Sequence, residues 1–303
     1  MSRNDTRTGT ARVGDLDIYY EDAGDLDAPP VLLIMGLSAQ LTMWPSGFCE
    51  LLAAEGLRVI RFDNRDIGLS THLDGVRVGG SMIARMVKTE LGIGSSVPYT
   101  VPDMAADAIG VLDHLGIERA HVVGASMGGM IAQVVGGKYP ERVLSLAILF
   151  SSTLQALLPP PDPRKLLALI SGPGKGATRE QYIAGSAKAM QTIGSPGYPL
   201  SDADALAMAT EYHDRSHNPA GVMRQMTAVM GSGSLRRYAR KVTAPTVVIH
   251  GKADGLMRPS GGKAIAHAVT GSKLVLIDGM GHDLPEPLWP QITSELFANF
   301  RRA

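Results

Sequence analysis

Six apolar runs, "PPVLLIMG", "LRVIRFD", "ERAHVVG", "RVLSLAILF", "APTVVIHG" and "SKLVLIDG", constrain the fold of this chain more than any other feature. They are short for helices and lack the polar alternation of a half-buried strand, so they suit strands covered on both faces. Between them lie segments with helical spacing. Strands that alternate with helices argue for an α/β fold, a mainly parallel sheet flanked by helices. One further stretch, "DLDIYYEDAG", alternates and reads as an edge strand. In "TVPDMAADAIGVLDHLG", Thr100 is a helix N-cap, Pro102 falls in the first turn, and Met104, Ala108, Val111, Leu112 and Leu115 share a face before Gly116 ends the helix.

The strand rhythm stops after Phe150 and resumes beyond Arg240. The interval opens with "LPPPDP", a stiff extended linker, and continues with helix starts: a capping box from Thr178 to Gln181, Ser201 before "DADALAMATEYH", and Asn218 followed by Pro219. The expected organisation is therefore a core domain of residues 1–152 and 236–303 with a helical cap, or lid, inserted at 153–235. A second irregular stretch, residues 71–99, holds "GGSMIARMVKTELG", one helix between glycine hinges.

Equal numbers of basic and acidic residues, 29 each, remove any global attraction to nucleic acid or an anionic membrane. The N-terminal segment lacks a signal-peptide core and no window approaches a membrane span, so a cytoplasmic protein with no integral membrane segment is expected. The single cysteine, Cys49, cannot form an internal disulfide and reads as a buried small apolar residue in a helical run.

Chemistry centres on "VVGASMGGMIAQ". Here G-x-S-x-G follows a β-branched strand and opens a helix, the setting in which a strained turn presents a serine hydroxyl above the sheet. Ser126 needs a base and a group to orient that base. His282 follows the last expected strand, in "IDGMGHDLP". Asp254 follows the strand "TVVIHG", leaving room for one helix and one strand before His282. The acid position after the earlier strand, "AILFSST", is empty of carboxylates, and Asp278 and Asp283 are too near His282 in sequence to reach its far nitrogen. His114 and His121 read as structural, and His250 ends a strand whose following glycine and aspartate have a better use. His213 and His217 have helical metal spacing but lack the glutamate of H-E-x-x-H and meet a helix end, so no metal and no cofactor is expected. Backbone N–H groups of Met127 and Leu37 are the expected oxyanion donors, with Gly36 turning the chain between them.

These motifs resemble the α/β-hydrolase superfamily over residues 10–300. "GASMGG", "HGKAD" and "GMGHDLP" are similar to its elbow, acid and histidine motifs, and "RFDNRDIGLS" resembles its D-x-R-G-x-G-x-S turn with Asp66 in place of a glycine. "LLIMGLSAQLTMWP" and "GMGHDLPEPLWP" look most like the lipase/esterase branch that includes the aclacinomycin methyl esterases. The resemblance implies an eight-stranded, mostly parallel sheet and a serine hydrolase with a catalytic triad and oxyanion hole. Most relatives carry His-Gly where this chain has Met35-Gly36, so an apolar side chain replaces a polar loop anchor.

The expected substrate is a small neutral ester with an apolar acyl or alcohol group. Met35, Gly36, Trp44 and Leu256 are expected in the pocket, joined by Leu37, Met127 and the cap methionines Met190, Met208, Met223 and Met226. Other chemistry on the same triad (thioesterase, acyltransferase, carbon-carbon hydrolase, cofactor-free perhydrolase) and a low-turnover ligand-binding receptor are the alternatives.

Overall fold

The computed structural model describes residues 6–170 and 176–303. The first five residues of the expected core and residues 171–175 of the expected cap lie outside the described residues. Eight strands form one sheet in the order β1-β2-β4-β3-β5-β6-β7-β8. They are β1 Thr6–Val13, β2 Leu16–Ala23, β3 Pro30–Ile34, β4 Arg58–Phe62, β5 Ala120–Ala125, β6 Val143–Leu149, β7 Thr246–Gly251 and β8 Lys273–Ile277. β1 and β2 are antiparallel to their neighbours, and β4, β3, β5, β6, β7 and β8 run parallel.

Continuous apolar strands arise because both faces are covered. Along β3, Leu32 and Ile34 enter one core cluster while Val31 and Leu33 enter the other. In β6, Leu146 and Ile148 face the first cluster, and Ala147 and Leu149 the second. Helices α1 (Ser46–Ala54) and α11 (Trp289–Phe300) supply Phe48, Leu52, Ile292 and Leu296 to the second face. Helices α3 (Val101–His114), α4 (Met127–Lys138) and α10 (Pro259–Ala268) cover the first. Each fully buried Val, Leu or Ile contributes about 1.5–3 kcal/mol, so these runs dominate the stability of the sheet.

Three strands differ from expectation: β1, which is absent from the runs above, β2 and β8. "DLDIYYEDAG" becomes β2, but it is not the edge, because β1 pairs outside it through a full antiparallel register. Alternation in β2 reflects one solvated face rather than an edge position. The true far edge is β8, where Leu274, Val275 and Leu276 are only half-buried.

Helix α2 (Met82–Glu90) starts at Ser81, whose side chain caps the Ala84 N–H. Between β6 and β7 the chain forms α5 (Pro163–Ile170), α6 (Arg179–Ile193), α7 (Asp202–Arg215), α8 (Pro219–Gly231) and the short α9 (Arg236–Ala239). The N-caps are those read from the sequence: Thr178 in a capping box with Gln181, Ser201, and Asn218 before Pro219. No described helix is long and apolar enough to cross a membrane.

Candidate active site

Ser126 joins β5 to α4 at φ +56°, a left-handed conformation that a serine adopts only under constraint. Its N–H donates to the Leu149 carbonyl at 3.0 Å, and its carbonyl accepts the Ser151 hydroxyl at 2.7 Å. The flanking glycines are required by close approach: a Cβ at Gly124 would overlap the Gly128 carbonyl, and one at Gly128 would overlap the Ile34 carbonyl. The turn therefore brings the start of α4 against the end of β3.

The ends of β5, β7 and β8 bring together three side chains far apart in sequence. His282 Nε2 lies 2.8 Å from Ser126 Oγ, and its Nδ1 lies 2.8 Å from Asp254 Oδ2. The other carboxylate oxygen, Oδ1, accepts the N–H groups of Leu256 and Met257, both at 2.9 Å. Burial pushes the Asp254 carboxyl up, but the charge of His282 and hydrogen bonds from His250 and His282 outweigh it and hold the group well below the usual carboxylate range. Asp254 is therefore an anion at neutral pH, able to fix the imidazole tautomer and stabilise its charged form. The edge of Phe150 packs on the His282 ring, with centroids 5.0 Å apart.

Across Ser126 runs the loop that follows β3. A Cβ on Gly36 would stand 3.0 Å from Ser126 Cβ and 3.4 Å from its hydroxyl, so a larger residue here would crowd the Ser126 side chain. Met127 is the first residue of α4, where an N–H has no acceptor within the helix and the helix dipole is positive. Leu37 follows Gly36 on the opposing loop. Met35, Gly36, Leu37, Met127, His282 and Leu256 all line the cavity above Ser126, whose volume is ≈ 1370 Å³.

Other expected wall residues lie elsewhere. Trp44 does not reach the cavity: it is fully buried against Phe48, while its neighbours Met43 and Pro45 form the wall. Its position in the turn before α1 points the indole into the second core cluster. Met190 and Met208 line the cavity, whereas Met223 is exposed on α8 and Met226 is buried beneath it. Cys49 is half-buried at the cavity wall rather than enclosed in the core.

Among the remaining histidines, His121 is structural, bonded to Ser145 at 2.8 Å and stacked on Phe300. His213 and His217 stack on each other beside Tyr182. His250 does more than end β7. Its Nε2–H donates to the Met257 carbonyl and lies 3.4 Å from Asp254 Oδ2, so a second imidazole backs the acid. Its spacing four residues before Asp254 was the available signal. Asp283 accepts the Ser195 N–H at 3.2 Å and also the Ser195 hydroxyl, which in turn accepts the Gly281 N–H at 2.7 Å. The His282 N–H donates to the Ile193 carbonyl at 3.1 Å, so the histidine loop is tied to the end of α6.

Residues 29–182, half of the chain, match the family model described as alpha/beta hydrolase fold. The chain belongs to the α/β-hydrolase family. This α/β hydrolase is 28% identical to the rhodomycin D methylesterase DnrP of Streptomyces peucetius, over 95% of this chain and 96% of that one. It is also 28% identical to a poly(3-hydroxyalkanoate) depolymerase of Ectopseudomonas oleovorans, over 84% of this chain and 77% of the relative. Among solved structures, the enol-lactonase from Burkholderia xenovorans superimposes with a TM-score of 0.70 at 21% identity, covering 97% of this chain and all of that one, which supports the fold.

Proposed function

We propose that this hydrolase cleaves carboxylic esters of neutral, mainly apolar substrates through an acyl-enzyme on Ser126. The observation that carries the reading is the continuous relay from Ser126 Oγ through His282 to Asp254, with 2.8 Å at each junction. His282 Nε2 accepts the hydroxyl proton as Ser126 attacks the ester carbonyl, and Asp254 stabilises the imidazolium. The N–H groups of Leu37 and Met127 receive the developing oxyanion. His282 then gives its proton to the leaving alcohol, and water repeats the sequence to free the acid. The named esterase relatives agree with this assignment.

Charge at the cavity supports a neutral substrate. Apart from His282, the cationic residue among the described lining is Arg61, which is paired with Glu21 at 2.6 Å, whereas Glu50, Asp204, Glu211, Asp283 and Glu286 also face or rim the space. A substrate carboxylate or phosphate would find repulsion there rather than a partner. In this reading residues 153–235 are the cap: Met190 of α6 and Met208 of α7 line the same cavity as Ser126, which supports a roof that shields the acyl-enzyme from bulk water.

Purified protein is expected to turn over a short p-nitrophenyl ester, and Ser126→Ala to lower kcat by about a millionfold. Turnover by Ser126→Ala at the wild-type rate would overturn the proposal.

A further inference from the structure

The cap does more than roof the cavity. Ser38, next to the proposed oxyanion donor Leu37, has φ +58° and is gripped on both backbone polar groups by side chains from the cap. Its N–H donates to Gln225 Oε1 of α8 at 3.1 Å, and its carbonyl accepts the Tyr212 hydroxyl of α7. Gln225 is fully buried, and its Nε2 donates to the Arg65 carbonyl at 2.8 Å, so the side chain cannot swing away without breaking both bonds of a buried amide.

The hold continues along the loop. Gln40 Nε2 donates to the Tyr212 and Ser216 carbonyls at 2.7 and 3.0 Å, which satisfies acceptors at the open C-terminal end of α7. Gln40 Oε1 accepts Arg215 Nη1 at 2.6 Å, and Arg215 also pairs with Asp63 at 2.8 Å. Asp63 in turn accepts the Leu41 N–H at 2.7 Å. On the other side of the donor, the Met35 carbonyl accepts Asn64 Nδ2 at 3.0 Å. The peptide carrying the Leu37 N–H is thus suspended between one anchor in the core and a pair of anchors in the cap. The Met35 side chain adds no polar contact to the loop.

We propose that Gln225 and Tyr212 are positioning residues of the oxyanion hole: by clamping Ser38 they aim the Leu37 N–H, so the cap sets the reactivity of a site built on the core. This rests on the serine esterase reading above. A loop released from the clamp keeps its ground-state contacts with substrate but loses alignment toward the oxyanion, which forms only in the transition state.

The test measures p-nitrophenyl ester kinetics and phenylboronic acid inhibition for Tyr212→Phe, Gln225→Leu and the double variant, alongside Ser126→Ala. Each single variant is expected to lower kcat by about 10–100-fold, less than outright removal of a donor, with KM changed by under about threefold. The boronate Ki, which reports on a tetrahedral adduct, rises by the factor that kcat/KM falls. The double variant loses less than the product of the two single losses, because both side chains hold Ser38. A purely structural role would lower the thermal midpoint without that split. Tyr212→Phe removes one oxygen and decides the matter alone if Gln225→Leu fails to fold. Wild-type kcat and boronate Ki in the folded variants would overturn this inference while Ser126→Ala is inert. Full turnover by Ser126→Ala would instead overturn the esterase reading, and the inference with it.

Discussion

Asp66 occupies the left-handed region at φ +70°, where the D-x-R-G-x-G-x-S pattern that this turn resembles has glycine, and replacing it by glycine should destabilise the protein even though glycine suits that backbone. The carboxylate accepts Arg224 Nη2 at 2.7 Å, Arg224 Nε at 2.9 Å, the Tyr99 hydroxyl at 2.8 Å and the Leu73 N–H at 2.8 Å. Asp66 and Arg224 side chains are 0% and 4% exposed, so neither regains water when the other is lost. Breaking such a buried pair costs about 3–5 kcal/mol because the surviving guanidinium is left unpaired. Relief of the left-handed backbone returns about 1–2 kcal/mol. The net loss for Asp66→Gly is therefore about 1–4 kcal/mol, or a fall in thermal midpoint of roughly 2–16 °C. Urea unfolding followed by tryptophan fluorescence reads it directly. The double variant Asp66→Gly/Arg224→Met, which removes both charges and keeps apolar volume, should recover most of the loss. Asp66→Gly within about 0.5 kcal/mol of wild type would contradict this prediction, since it would mean that Arg224 finds another partner at no cost.

Asp254→Asn keeps the shape of the acid but loses its charge and leaves His282 in the wrong tautomer, so kcat should fall by about four orders of magnitude with the protein still folded by circular dichroism. His121 supplies a pH signature. Burial lowers it from an ordinary 6.5 to about 4, so between those values the unfolded chain binds more protons than the native one. Stability should therefore fall as the pH drops from 6.5 to 4, by up to about 3 kcal/mol from this group. His121→Asn should flatten that slope, as read by urea midpoints at pH 4.5 and 7.

Much of the architecture is written in local sequence because burial on both faces forces local composition. Apolar runs such as "VLLIMG" and "RVLSLAILF" have no polar positions to give, so they declare themselves as central strands. β1, "TRTGTARV", is invisible by the same logic: most of its side chains face solvent, and Ala11 is its one fully buried residue, so it reads as a polar loop until β2 is seen to pair with it. Trp44 was misplaced because its position beside the β3 loop suggests the cavity, whereas side-chain direction in an irregular turn follows no period.

The proposed reacting groups were legible because each sits at the end of a strand within a short motif, and the strand order follows from topology. Their supports were not. Gln225 and Ser38, or Asp66 and Arg224, are joined only by the way α8 lies over the core, and a buried polar residue in a helix carries no local sign of its partner. Asp66 did stand out as a departure from the D-x-R-G-x-G-x-S pattern, but the departure alone does not name Arg224 or Tyr99.

Ser126 is the proposed nucleophile. The most direct measurement is reaction of the folded protein with a fluorophosphonate, followed by mass-spectrometric mapping of the adduct. One equivalent of label on the peptide containing "VVGASMGGM", lost in Ser126→Ala and in protein unfolded beforehand, is the predicted result. Labelling at a different residue, or none in folded and otherwise active protein, would contradict it.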